Sequence, residues 1–368
     1  KRKTRPLRSI CKHDIKQEKL MPSYQHIDTD NMHQSIYEFS DHLMQAVEIG
    51  KSIALKNQYS DIHNVVVAGM GGSAIGGDVA RLLCKNELKV PMVVSRNYTL
   101  PGWVNENTLV ICCSYSGNTE ETLAAFEHAR DKGAQIAGLS TGGTLSEKMA
   151  EFEFDLVTIP GGLQPRAALG FSLVPMLFLM KQTGLIGSET IDQLPEAASF
   201  IASIRDQYGK QSDDNPTYSL AQRIYKTIPV IYGETDATGT LAVRFKGQLS
   251  ENAKMLAYCN ELPEMNHNEI VGFKNNQDIL NYISVIWLKD EKDHPRTAVR
   301  QDSTREIIGD LCANHEMVSL EGDSAAIRYL HLIHYGDWVS YWCAILHQTN
   351  PTPVKKIDRL KAILSEKS

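Results

Sequence analysis

Val65-Val66-Val67-Ala68-Gly69-Met70-Gly71-Gly72-Ser73-Ala74-Ile75-Gly76-Gly77-Asp78 is a short apolar run that breaks into glycines and then takes up a helical pattern. The residues before the break are β-branched, as suits a strand covered on both faces. The glycines after it permit turns and close backbone approach that a Cβ would block. A buried strand feeding a loop and a helix is the reading. Helix N-terminal N–H groups, at the positive end of the dipole, would then face whatever occupies the loop, which favours an anion such as phosphate.

Two nucleotide fingerprints fit this stretch poorly. The Gly-Lys-Ser/Thr ending of a P-loop is missing. Gly69-Met70-Gly71-Gly72-Ser73-Ala74 partly imitates the dinucleotide pattern, but the next apolar strand, Val90 to Val94, ends in Ser95-Arg96 instead of an acid. Arg96 keeps a cofactor with a phosphorylated ribose open. A tight strand-to-helix turn with no ligand is the plain alternative.

Downstream, the alternation of strand and helix patterns predicts an α/β protein whose parallel sheets carry helices on both faces. Ile36, Phe39, Leu43, Ala46, Val47, Ile49 and Ile53 mark an amphipathic leading helix. Thr108 to Cys113 reads as a strand ending in Ser114-Tyr115-Ser116-Gly117-Asn118-Thr119, with a helix from Glu121. Hydroxyls and helix-start amides together can ring a phosphate without any Lys or Arg, although Ser, Asn and Thr are also the ordinary helix caps. Strands at Gln135 to Leu139 and Asp155 to Ile159 follow, the latter leading to Pro160-Gly161-Gly162-Leu163-Gln164-Pro165-Arg166. Arg166 in that loop could face a cleft and stabilise developing negative charge, or lie on the surface. Phe171 to Met180 is a strongly apolar helix, and Gly184 to Gly187 reads as a stop and linker.

A second set begins with a strand at Thr227 to Tyr232 and a helix striped by Leu241, Phe245 and Leu249 that ends near Glu251. Glu261 to Glu269, including His267, reads as polar and without period; Ile279 to Leu288 is apolar throughout. Met317 to Leu320, the long apolar stretch Ala325 to Gln348 and a helix from Ile357 to Leu364 complete the chain. Four units result: a basic extension over 1–21, a leading helix and first α/β domain over 22–187, a second over 188–350, and a closing helix in 351–368.

Composition narrows the function. The chain has 368 residues, 42% hydrophobic and 22% charged, which describes a globular protein with room for two domains. A net charge of −6 argues against a nucleic-acid partner. No apolar run is long enough to cross a bilayer, so no membrane partner is expected. The seven cysteines are odd in number and have no CxxC spacing, which suits reduced packing residues of a cytoplasmic protein. His331, His334 and His347, on an apolar helix, read as core or cleft-lining residues, and neither a metal nor another cofactor is expected.

Taken together, GMGGSAIGGD (69–78), SYSGNTEET (114–122), QPRAALG (164–170), SENAKMLAYCNELPEMNHNE (250–269) and NPTPVKKIDRLK (350–361) resemble the bifunctional phosphoglucose/phosphomannose isomerases, which are built from two sugar-isomerase (SIS) domains. The resemblance spans about residues 22 to 366. It implies a metal-independent aldose–ketose isomerase of glucose 6-phosphate and mannose 6-phosphate, with a non-catalytic sugar-phosphate-binding protein of the same fold as the alternative. By the family pattern Ser73, Ser114, Ser116 and Thr119 would bind the phosphate, and Gly71 and Gly72 would let the sugar approach. Arg166 would stabilise the enediolate and Glu251 would carry the proton between C1 and C2. His267, reaching across a homodimer, and Lys361 would assist ring opening, with Lys355 and Lys356 competing for the lysine's place. The chemistry asks for these types independently: one carboxylate over both carbons, a cation that keeps its proton, and a group titrating near neutrality. On residues alone, Glu261, Glu264 and Glu269 compete with Glu251 as the base.

Overall fold

Among the residues that the computed structural model describes, 24–367, nine strands form two parallel sheets. The basic extension expected over 1–21 lies outside the described residues. The first set runs α1 (Phe39–Ser52), β1 (Asn64–Ala68), α2 (Gly71–Leu83), β2 (Met92–Ser95), β3 (Thr108–Ser114), α3 (Glu120–Asp131), β4 (Gln135–Ser140), α4 (Gly143–Glu151), β5 (Asp155–Thr158) and α5 (Leu169–Gln182). Its strand order is β2-β1-β3-β4-β5. Helices α6 (Leu194–Tyr208) and α7 (Pro216–Ile224) lead to the second set. There β6 (Ile228–Glu234), α8 (Thr238–Glu251), β7 (Tyr258–Leu262), β8 (Ile283–Lys289), α9 (Pro295–Ile308), β9 (Asn314–Ser319), α10 (Ala325–Leu346) and α11 (Lys355–Ser365) give the order β7-β6-β8-β9.

Strand β1 shows why its sequence is apolar at every residue from Val65 to Ala68. Val65 and Val67 enter a core shared with Phe171 and Leu177 of α5, while Val66 and Ala68 enter a core with Phe126 of α3. A pleated strand sends successive side chains to opposite faces, so helices on both faces demand apolar residues at every position. Helix α5 is buried all round. Its interior Pro175 costs about 3 kcal/mol by removing a helix hydrogen bond. Nine buried apolar side chains on the same helix, each contributing about 1.5–3 kcal/mol, outweigh that loss. The larger core runs without a break from β1 through α5 to Ile231 of β6 and Trp338 and Tyr341 of α10, which binds the two sheets together.

Two elements differ from the sequence reading. Helix α9 carries no apolar stripe: the residues it buries are Thr297, Gln301, Thr304 and Ile308, so the pattern that betrays most helices is absent. The polar stretch read without period at Glu261 begins inside strand β7. That strand lies at the sheet edge with Tyr258 55% exposed, and an edge strand need not be apolar on both faces. Beyond it come two single 3₁₀ turns, Glu264–His267 and Glu269–Gly272.

Between α8 and α10 sits a buried ion pair. Arg244 Nη2 donates to both carboxylate oxygens of Asp337, at 3.0 and 3.1 Å, and Gln248 Nε2 donates to Oδ1 at 2.7 Å. Arg244 and Asp337 are 5% exposed each. Removing one partner strands a buried charge, so Asp337→Ala should cost roughly 3–5 kcal/mol, read as a lowered urea midpoint and Tm. A midpoint equal to the wild type would show the pair to be dispensable.

Candidate active site

The glycine loop, the hydroxyl loop and the Arg166 loop all leave carboxyl ends of strands in the first sheet, after β1, β3 and β5. They are tied to one another. Tyr115 N donates to Ser73 Oγ at 3.1 Å, and Leu163 N donates to Tyr115 Oη at 3.0 Å. A Cβ added to Gly72 would lie 2.5 Å from the Pro165 carbonyl oxygen, so glycine is required there by the Arg166 loop packed against it. Gly71 has φ +47° with open space around it, which leaves the loop's bare backbone facing outward. Gly117 has φ +72° and touches the Gly142 carbonyl so closely that no Cβ fits.

Inside the hydroxyl loop the donors are arranged in sequence. Ser114 Oγ donates to Thr119 Oγ1 at 2.9 Å, Asn118 N donates to Ser116 Oγ at 3.2 Å, and Ser73 Oγ accepts from Tyr115 as above. Ser116 and Thr119 thus act as acceptors toward the protein, and a hydroxyl that accepts can still direct its own hydrogen to an anion; Ser73, which accepts from Tyr115, also borders the Cys113 thiol. Ser114, 2% exposed, orients Thr119. The helix α3 N-terminus adds its amides to the same end of the sheet.

Arg166 is not a surface residue. It sits in the 3₁₀ turn Pro165–Ala167 and is 2% exposed. Its Nε donates to Asn252 Oδ1 at 2.6 Å, and its Nη2 donates to the carbonyls of Pro351 at 2.8 Å and Thr352 at 2.7 Å. Nη1 faces Glu251 Oε2 at 3.5 Å. Burial pushes the guanidinium below its ordinary range while Glu251 opposes that shift. Its backbone is held too, since Arg244 Nη2 donates to the Arg166 carbonyl at 2.7 Å. Asn252, fully buried, is fixed in turn by donating to Ser340 Oγ at 2.9 Å. Glu251 ends α8 with its side chain one-third exposed, the one carboxylate among the described residues that pairs with Arg166. Glu261, Glu264 and Glu269 lie along and beyond β7.

The remaining expected residues are not gathered with these. His267 is exposed, in the turn after β7. Lys361 is exposed on α11, and Lys355 and Lys356 open that helix just past Thr352. His331 and His334 are core residues: His331 Nε2 bonds Tyr208 Oη at 2.8 Å and His334 Nε2 accepts from Trp338 Nε1 at 3.0 Å. Burial pushes them down to about 4 and about 3. Sequence reasoning missed Tyr115, Asn252, Arg244 and the 351–352 carbonyls. All four flank or lie within the quoted motifs, but their role depends on contacts 42 to 186 residues apart.

The carboxyl end of the second sheet has the opposite chemistry. Glu234 there accepts from His294 N and Thr297 Oγ1, and Asp290 pairs with Arg328 at 2.9 Å. Asp293 Oδ1 is buried with no donor facing it, beside the Glu234 carboxylate.

Known proteins bear on this geometry. A family model for the "Bacterial phospho-glucose isomerase C-terminal SIS domain" matches residues 213–364. A bifunctional phosphoglucose/phosphomannose isomerase of Caldicellulosiruptor bescii is 42% identical over 91% of this chain and 99% of its own. The chain belongs to the bifunctional phosphoglucose/phosphomannose isomerase family. Another member, from Aquifex aeolicus, is 39% identical over 82% of this chain and 90% of its own. In fold, a putative phosphosugar isomerase from Clostridium difficile matches with a TM-score of 0.66 at 15% identity, over 89% of this chain and 97% of that one. The SIS-domain α/β architecture is thus common to family members and to distant structures.

Burial and the hydrogen bond with Glu234 push Asp293 up to about 8. The folded pKa exceeds the unfolded one. The stability contribution is therefore full below the ordinary carboxylate range and is lost as pH rises toward about 8. Between about pH 5 and pH 8 the wild type should lose Tm relative to Asp293→Asn, measured by thermal unfolding in matched buffers. Parallel curves for the two proteins would contradict the shared proton.

Proposed function

We propose that the protein interconverts glucose 6-phosphate and mannose 6-phosphate with fructose 6-phosphate, without a metal, through an enediolate. The observation that carries this reading is the Arg166 guanidinium fixed against Glu251, beside loops lined with hydroxyls. Aldose–ketose isomerisation moves one proton between C2 and C1, and a single carboxylate above both carbons can take it and return it. Glu251 is assigned that transfer. Negative charge grows on the oxygens as the proton leaves, and Arg166, whose pKa keeps it charged, is assigned to that charge. Ser73, Ser116 and Thr119 are assigned to the phosphate, which does not react, with Ser114 donating to Thr119 behind them and Gly71 and Gly72 leaving room for the sugar.

Ring opening is assigned to His267 of a second copy and to a lysine of α11, with Lys361 the match to the family pattern. Topology supports the exchange of His267. Glu251 ends α8 at the amino end of the second sheet, whereas His267 follows the carboxyl end of β7. Five residues of strand separate those ends by roughly 16 Å, so within one chain the two side chains face different ends of the sheet. The six described cysteines are free, which supports a reducing compartment, the cytoplasm. No helix among the described residues is long and apolar enough to cross a membrane.

EDTA-treated protein should form fructose 6-phosphate from glucose 6-phosphate. Glu251→Gln should lower kcat by about a thousandfold with sugar-phosphate binding retained, and Ser73→Ala should chiefly raise KM. Full turnover in Glu251→Gln would remove that residue from its role, and ligand-induced stabilisation without turnover in the wild type would favour a sugar-phosphate sensor. Glu251→Gln mixed and reassembled with His267→Ala should regain about a quarter of wild-type activity, because half the dimers are mixed and each holds one intact site. No recovery would place His267 in its own chain's site, and full turnover in His267→Ala alone would place it outside both.

A further inference from the structure

Lys254 stands three residues beyond Glu251, outside every role assigned above. Although the residue as a whole is exposed, its ammonium is surrounded by carbonyls. Nζ donates to Glu251 O at 2.8 Å, Asn252 O at 3.2 Å and Pro351 O at 2.8 Å. The first two are the open carbonyls at the end of α8, which has no basic residue in its own last turn. The third also accepts from Arg166 Nη2, so two cations share one oxygen.

A second observation is independent of these bonds. Lys254 has φ +56°, in the left-handed region where glycine is the usual occupant past a helix end. That conformation turns the side chain back over the helix terminus. Glycine would fill the position with less strain but would supply no ammonium.

We propose that Lys254 is a positioning residue of the isomerase site: its ammonium fastens the end of α8, which carries Glu251, to the 351–352 segment that holds Arg166. The inference rests on the isomerase reading for its effect on turnover, but the fastening itself does not. Of the six protein acceptors around the two cations, Pro351 O belongs to both. Loss of the ammonium therefore frees the C-terminal segment and lets the Glu251 carboxylate drift from the guanidinium. The charged groups facing Nζ are Arg166 from the 3₁₀ turn and Glu251 from α8. Burial and Arg166 push the ammonium down to about 8 against the pull of Glu251, so the fastening weakens in mild alkali.

The test compares wild type with Lys254→Met, Lys254→Gly and Lys254→Arg, in thermal unfolding, in kcat and KM for glucose 6-phosphate, and in deuterium exchange of the 349–355 backbone. Lys254→Met should lower the melting temperature by only a few degrees, and Lys254→Gly by less because glycine relieves the positive φ. Their kcat should fall about tenfold with KM within about twofold, their alkaline decline near pH 8 should vanish, and exchange over 349–355 should quicken. Lys254→Arg should restore most of kcat. Wild-type kcat in Lys254→Met, a loss that merely follows the folded fraction, or unchanged exchange would overturn the proposal. Should the wild type itself turn over no sugar phosphate, the isomerase reading falls, and exchange over 349–355 alone then decides the fastening.

Discussion

A guanidinium withdrawn from water must find acceptors, and Arg166 draws them from two distant stretches of chain. Desolvating such an ion costs several kcal/mol, which only well-placed hydrogen bonds offset. Asn252 and Glu251 come from the end of α8, and the Pro351 and Thr352 carbonyls come from the approach to α11. The cation thereby fixes where the second sheet and the C-terminal segment sit relative to the first. At one end the carboxyl side of the first sheet meets the amino side of the second, through Arg166 and Glu251. At the other, Arg81 and Lys85 from the end of α2 reach Asp236 beyond β6, which places the two sheets in opposite senses. The shared apolar core supplies most of the adhesion, and the buried polar contacts choose the register.

Under the proposed assignments, that arrangement separates binding from bond-making. The phosphate keeps its charge from substrate to product, so donors placed on it stabilise both states alike and act on KM. Neutral hydroxyls and amides suffice there. The oxygens that gain charge are at the other end of the sugar, where a fixed cation strengthens its interaction only as the proton leaves. A free lysine on a flexible stem would meet that charge less rigidly. Arg166, with every nitrogen engaged, cannot reorient, and its neighbour Glu251 remains partly open to a ligand.

The glycine stretch betrayed the first sheet because burial on both faces leaves a strand little choice but β-branched residues. Helix α5 was equally legible, since a helix buried all round must be apolar all round. Where burial falls on polar groups the pattern disappears: α9 inserts Thr297, Gln301 and Thr304, and β7 exposes an edge. The site was legible in pieces. Hydroxyls after β3 and an Arg after β5 carry chemistry that spacing alone suggests, whereas Glu251 at the end of an amphipathic helix looks like any surface carboxylate. Only resemblance singled it out from Glu261, Glu264 and Glu269. What joins Arg166 to Glu251, Asn252 and Thr352 is contact over 85 to 186 residues, and no local periodicity records such contacts.

The two sheets share a topology but not a chemistry. Serine and threonine line the carboxyl end of the first sheet; Glu234, Asp290 and Asp293 line that of the second, with a proton retained to relieve their mutual repulsion. The proposed phosphate site therefore has its hydroxyl donors at one end only. His267 belongs to the second sheet's far end, away from the anion site of its own chain. Under a two-fold exchange it gains a substrate only by facing another copy, and each copy returns the same service because an isologous contact is reciprocal. Catalytic output would then depend on protomer concentration even where binding of the phosphate does not. Under that exchange the second sheet would contribute a base to one active site and a histidine to the other.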